Sequence, residues 1–165
     1  LRDVVTRGRL WKHSTLSDIE GLVPDDEMRS LFAFTMVRNP WDRSVSYYHW
    51  LRGQRFDHPA VALAQERDFE DFVLHPQTLR SFHDTPAQAF MQHSDGVEHC
   101  ACYIRLEHFT QDAAPLFDHL GFSLDLPLVN ASDRVRDYRV YFSPKSRQAI
   151  ADSCAVDIAR FGYSF

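Results

Sequence analysis

Arg38, Ser46 and His13 are the residues whose types and spacing could do chemistry. Arg38 ends the apolar run LFAFTMV (residues 31–37), and Asn39-Pro40 follows at once. Ser46 comes eight residues after Arg38, about two turns into a segment with helical spacing. An arginine offers a forked, charge-assisted contact to a phosphate, and a serine hydroxyl adds a directed one. The start of a helix contributes free N–H groups and the positive end of its dipole. The same residues also fit a plainer arrangement, in which Arg38 pairs with a nearby carboxylate and Ser46 packs in the helix. His13, in WKHSTLSDI, is the best placed of nine histidines to move a proton at neutral pH. Its plainer role is that of a surface imidazole beside a helix cap. His49, in the motif helix, is a weaker candidate base, and the other histidines read as surface or loop residues. Lys12 is a candidate contact to an acidic substrate or a phosphate. Arg43 reads first as a structural ion pair.

These residues need elements to hold them. Thr15-Leu-Ser-Asp18 has the form of a capping box and predicts a short helix to about Leu22. Residues 31–37 read as a strand buried on both faces, as in a parallel sheet. Asn39 is a good N-cap and Pro40 suits the first helical position, so a helix is expected to about Arg52, stopping at Gly53. Residues 54–64 read as a loop with some helix, Phe69 to Leu74 as a short helix, and Thr85-Pro86 as the cap of another reaching His93. Asp95-Gly96 signals a turn. Cys102 to Leu106 reads as a second strand and Glu107 to Leu120 as a helix capped by Gly121. Leu124 to Arg139 reads as an extended connection. Ser143-Pro144 opens a last helix running to about Arg160 and ending at Gly162. Strands alternating with helices predict a three-layer α/β domain with a parallel central sheet, in which helix outweighs strand.

Composition narrows the function classes. The chain has 165 residues, enough for one domain with one core. Thirteen Phe predict an aromatic core. A net charge of −5 argues against a broad nucleic-acid surface, yet a single anion pocket needs only two or three cations. No apolar stretch is long enough to span a bilayer, and no signal peptide is visible. Three cysteines make no disulfide framework; free thiols in a reducing, cytoplasmic compartment are expected. Cys100-Ala-Cys102 lacks the usual metal spacing, and neither HxxxH nor HExxH occurs, so no metal is expected.

VRNPWDRSVSYYHW resembles the phosphate-binding motif of sulfotransferases that use 3′-phosphoadenosine 5′-phosphosulfate (PAPS). Arg38, Asn39, Pro40, Ser46, Tyr47 and Tyr48 match that pattern, and Arg43 is typical of the carbohydrate, heparan 2-O-like branch with its bacterial members. The resemblance implies a P-loop-like fold, with Arg38 and Ser46 on the 3′-phosphate of the nucleotide and Arg43 in a supporting role. It implies His13 as the catalytic base, with Lys12 beside it. YIRLEHFTQDAAPLFDHLGF resembles the later strand–Glu–helix segment of the family. Leu106 stands where cytosolic members carry a tyrosine, so an adenine contact is not carried over to it. Asn130-Ala-Ser132, Tyr138, Tyr141 and the tail DIARFGYSF are similar to the C-terminal region of this branch. In that tail, Phe161, Tyr163 and Phe165 are expected to pack the last helix onto the core.

The implied activity is transfer of a sulfuryl group from PAPS to a hydroxyl of a carbohydrate or small alcohol, without a metal. The loops 54–65 and 82–99 are expected to shape the acceptor pocket. One family feature has no counterpart: the Pro-Lys-[Thr/Ser]-Gly-type loop that holds the 5′-phosphosulfate. The six glycines are scattered. Residues 1–165 therefore read as a single sulfotransferase-like domain lacking its N-terminal strand and phosphate loop. The alternatives are a catalytically silent nucleotide-binding or interaction domain of the same fold, and a small-molecule kinase. A kinase needs a Walker-type loop and a metal-binding carboxylate, and neither is clear in the sequence.

Overall fold

A computed structural model describes residues 5–126 and 134–165. In chain order the elements are α1 (Leu16–Ile19), α2 (Asp25–Ser30), β1 (Phe34–Val37), α3 (Pro40–Arg52), α4 (Pro59–Glu66), α5 (Phe69–Leu74), α6 (Pro76–Asp84) and α7 (Ala87–Phe90). There follow β2 (Cys102–Arg105), a 3₁₀ turn (Leu106–His108), α8 (Phe109–Asp112), α9 (Ala114–Leu120), a second 3₁₀ turn (Tyr138–Tyr141), α10 (Pro144–Ser153) and α11 (Ala155–Phe161). The chain is α/β, and its described sheet has two parallel strands. Two compact units form, one from Leu1–Val37 with Ala87–Leu126, the other from Arg38–Pro86 with Pro127–Phe165.

In the first unit β1 and β2 pair in the register Phe34↔Cys102 to Val37↔Arg105. Ile104 is fully buried with Ala113 and Leu116, and Phe32, Phe109 and Phe117 pack around them. The expectation that residues 31–37 form a strand buried on both faces needs correction. The strand spans only four residues, and Phe34 and Met36 are 41% and 42% exposed. The reason is coverage: among the described residues β1 has one partner strand, and the apolar side chains of α8 and α9 gather over Ile104 of β2. The expected helix from Glu107 to Leu120 is broken. Pro115 lacks the N–H that would bond back to Gln111, so α8 stops and α9 restarts. Gly121 then ends α9 in the left-handed conformation at φ 75°, as its position predicts.

The Thr15 capping box forms: the Asp18 N–H donates to Thr15 Oγ1 at 3.1 Å, and the Thr15 N–H donates to Asp18 Oδ2 at 2.9 Å. The helix it opens is a single turn. The helix expected to reach His93 shrinks to α7, and the Asp95-Gly96 turn folds His93 inward to 5% exposure. His93 Nδ1 lies 3.3 Å from Glu20 Oε1, which also accepts the Ser94 N–H at 2.7 Å. Hydrogen bonds from Ser94 first, then from His93, hold the Glu20 carboxyl below its usual range. His93 lies in a loop, one of the two settings expected of it, but is buried there because the turn brings it against the half-buried Glu20, a partner the local sequence does not reveal.

The second unit is helical, with an aromatic core. Trp41, Val45, Tyr48 and Leu51 of α3 are buried with Val61, Ala64, Phe69, Phe72, Val73, Phe82, Ile150 and Cys154. Edge-to-face rings tie it together: Phe69 and Phe142 at 5.0 Å, Tyr48 and Phe69 at 5.6 Å, Trp41 and Phe165 at 5.5 Å. The helix within the loop-with-some-helix expected at 54–64 is α4, and α6 is a further helix where none is expected. Both begin at His-Pro. His58 Nδ1 accepts the Ala60 N–H and His75 Nδ1 accepts the Gln77 N–H, while each proline fills the first position. Histidine is not an ordinary N-cap, so neither start is legible from cap preferences. The 54–65 loop assigned to the acceptor pocket is therefore largely α4, and residues 82–99 include the end of α6 and all of α7.

Candidate anion site on the arginine-capped helix

Helix α3 starts where the sequence places it. Asn39 Oδ1 accepts the Trp41 N–H at 3.1 Å, Pro40 occupies the first position, and the helix runs thirteen residues to Arg52. Asn39 is itself buried, and its Nδ2 donates to the Ser164 carbonyl at 3.0 Å and to Tyr138 Oη at 3.3 Å. One helix face carries Trp41, Ser44, Val45, Tyr48 and Leu51 into the core. Another stripe, at spacings of four and three, carries Asp42, Ser46 and His49.

Arg38 lies against that stripe. Its Nε donates to Asp42 Oδ2 at 2.7 Å and its Nη2 lies 2.6 Å from the same oxygen. Arg38 thus makes the carboxylate pair expected of a structural arginine. That pair leaves Nη1 without a bond to Asp42, and the side chain is 29% exposed. On the other carboxylate oxygen, Oδ1, Arg134 Nη2 donates at 2.7 Å. Two guanidiniums therefore grip one carboxylate from its two oxygens. Arg134 is only 12% exposed, and its Nη1 is buried without a hydrogen-bond partner among the described residues. The Val135 N–H donates to Tyr141 Oη at 3.1 Å, which fixes the backbone beside Arg134.

Ser46 is half-buried, one turn beyond Asp42 on the same stripe. His49 comes next. Its ring meets Tyr48 at 5.3 Å and Tyr141 at 5.4 Å, and its Nε2 is buried without a partner among the described residues. Burial first, then the charges of Arg134 and Arg52, push the His49 pKa below its ordinary value. The lowered pKa favours the neutral imidazole beside the cationic cluster and makes His49 a weaker base than an ordinary histidine.

Arg43 projects from a different part of the helix. Its guanidinium lies 5.1 Å from the Phe82 ring centroid, and among the described residues it makes no ion pair. The structural pairing expected of Arg43 is thus a cation–π contact. Lys12 and His13 belong to the first unit. Both are exposed in the turn before α1, and the His13 ring stands edge-on to Trp11 at 4.8 Å. Ser14 pins this turn: its Oγ accepts the Trp11 N–H and lies 2.9 Å from the Arg9 carbonyl. Within the second unit, then, Arg38, Asp42, Arg134, Ser46 and His49 gather along one stripe.

Asp42 and Arg134 are the members that sequence reasoning missed. Asp42 carried a signal, since it stands four residues after Arg38 on a helix. Arg134 carried none, because it joins Asp42 across 92 positions. Asn130 and Ser132, part of the C-terminal resemblance, lie outside the described residues. Tyr138 and Tyr141 form the 3₁₀ turn whose hydroxyls meet Asn39 and Val135. A separate open depression of about 530 Å³ is lined by Leu79, Arg80, His83, Asp84 and Ser153, and holds none of the predicted site residues. Among the described residues no group of three or more His, Cys, Asp or Glu could hold a metal ion, and no helix is long and apolar enough to cross a membrane. Compared with protein-family models, curated proteins and solved structures, the chain has no match.

Proposed function

We propose that the chain is a PAPS-dependent sulfotransferase domain of the three-layer, P-loop-like type, transferring a sulfuryl group to a hydroxyl of a carbohydrate or small alcohol. One observation carries the reading: an arginine immediately precedes a side-chain-capped helix, with a half-buried serine two turns into it. That combination suits a phosphate dianion, which takes a forked contact from Arg38, a hydroxyl from Ser46 and the favourable dipole of α3. In the reaction the acceptor oxygen attacks sulfur in line while the bond from sulfur to the 5′-phosphate oxygen breaks. The acceptor proton passes to His13, and adenosine 3′,5′-bisphosphate leaves. Arg38 and Ser46 hold the nucleotide by its 3′-phosphate. Lys12 contributes charge beside His13, and Arg43 supports the helix that carries the site.

The scattered glycines favour a second reading, a domain of the same fold that binds the nucleotide and is silent in transfer. One measurement tests the phosphate site that both readings share, and a second separates them. In calorimetry, Arg38→Ala is expected to weaken adenosine 3′,5′-bisphosphate about ten-fold or more and AMP hardly at all. Equal losses would remove the 3′-phosphate from this site. Labelled PAPS offered with a panel of glycans and small alcohols is expected to yield sulfated product, with turnover falling in His13→Ala at unchanged nucleotide affinity. Binding without transfer selects the silent domain.

A further inference from the structure

We propose that Glu20 is the positioning residue for His13, fastening the segment that carries His13 to the turn at residues 93–97; the proposal rests on the reading of His13 as the catalytic base. Residues 7–20 form a small loop closed on itself. The Arg7 N–H donates to the Glu20 carbonyl and the Gly8 N–H to the Asp18 carbonyl, each at 2.9 Å. Inside the loop, Ser14 Oγ pins the turn on which His13 lies, and the Thr15 capping box opens α1 just after it. What the loop lacks is an interior. No residue from 5 to 23 is buried, and α1 is a single turn. A helix that short does not hold itself in water.

Glu20 supplies the outside hold. Among the described residues, its carboxylate makes the only hydrogen bond and the only ion pair that join residues 5–23 to the rest of the first unit. The Ser94 N–H donates to Oε1 at 2.7 Å, and His93 Nδ1 lies 3.3 Å from the same oxygen. Hydrogen bonds to a carboxylate are among the stronger ones. The receiving turn is itself fixed. The His93 N–H donates to the Val97 carbonyl, the Gly96 N–H to the His93 carbonyl and the Val97 N–H to Asp95 Oδ1, each at 2.9 Å. Asp95 Oδ2 takes Arg29 of α2 at 2.7 Å, and His99 Nε2 lies 2.8 Å from the Leu31 carbonyl, shortly before β1. The His93 side chain is only 3% exposed, so packing holds its end of the pair. A base must lie within hydrogen-bond reach of the proton it takes, and a base on a loose loop spends less time there. Glu20 acts through the place it gives His13.

The test uses Glu20→Ala and Glu20→Gln, with thermal melts of each variant. Amide hydrogen exchange read by NMR at Arg7, Gly8 and Asp18 is expected to speed up about ten-fold or more in Glu20→Ala, while Val45 and Ile150 are unchanged. Glu20→Gln should fall between, since it keeps an oxygen for the Ser94 N–H but no charge. Unchanged exchange at the three loop amides would overturn the proposal. In the labelled-PAPS assay, Glu20→Ala is expected to lower turnover about ten-fold or more while changing adenosine 3′,5′-bisphosphate affinity less than about two-fold. In the His13→Ala background the same substitution should change the residual turnover less than about two-fold, because no base is left to position. A full further loss in that background would show that Glu20 acts elsewhere, and would also overturn the proposal. Turnover that survives His13→Ala, or wild-type protein that transfers nothing, would remove the base reading and the positioning role with it. The exchange result tells that failure apart, because it reports the anchor without any turnover.

Discussion

Asn39→Ala removes three contacts at the point where the site is anchored. The Oδ1 cap on Trp41 is lost, as are the Nδ2 bonds to Ser164 and Tyr138. An N-cap to alanine change costs about 1 kcal/mol. Each lost side-chain hydrogen bond adds about 1 kcal/mol, toward the low end because Ser164 is exposed and Tyr138 only half-buried, so water can reach the orphaned oxygens. The total expected is about 3 kcal/mol. Asn39→Ser is the informative companion. Serine caps as well as asparagine but cannot reach Ser164 or Tyr138, so its cost should be about 2 kcal/mol. Urea unfolding followed by tryptophan fluorescence measures both, since Trp41 is buried next to the substitution. A loss under about 0.5 kcal/mol for Asn39→Ala would refute the anchoring, given the contacts involved. Equal losses for Ala and Ser would refute the capping share.

His49 gives the site a pH dependence. Its folded pKa lies below the ordinary value of about 6.5 because burial, Arg134 and Arg52 disfavour the imidazolium. Above pH about 6.5 both folded and unfolded chains hold it neutral, and the stabilisation is complete. On acidification the unfolded chain takes up the proton first, so this contribution falls and is gone once the pH passes below the folded pKa. The stability difference between wild type and His49→Gln should therefore shift against wild type from pH 7 to pH 5, and a pH-independent difference would remove His49 from the account. Burial pushes the Cys154 thiol up to about 11, with Asp157 adding to the rise and Arg43 opposing it. In native protein at pH 8, iodoacetamide should label the half-buried Cys100 and Cys102 well before Cys154; mass spectrometry showing Cys154 labelled first would contradict its burial.

Much of the local structure was legible because it depends on neighbours in sequence. Asn39-Pro40, the Thr15 box, Ser143-Pro144 and the glycines at 121 and 162 each satisfy backbone groups within a few residues, so these element ends appear as expected, although the last helix, expected unbroken to about Arg160, divides at Cys154 into α10 and α11. Where a cap used an unusual residue, as His58 and His75 do, the same physics was at work but the residue type did not announce it. Strand burial was misjudged for a different reason: an apolar run shows that a strand can be covered, not that something covers it.

The sequence by itself determined Arg38, the capped helix and Ser46, because their spacing is helical and local. It also set His13 beside a helix cap. Only the tertiary structure decided that Asp42 would be shared, that Arg134 would be its second partner, and that His49 would bury its Nε2 under the influence of Arg134. Helical periodicity extends over a few turns, whereas Arg134 reaches Asp42 across 92 positions. A contact of that kind is chosen by packing, and no spacing rule along the chain encodes it.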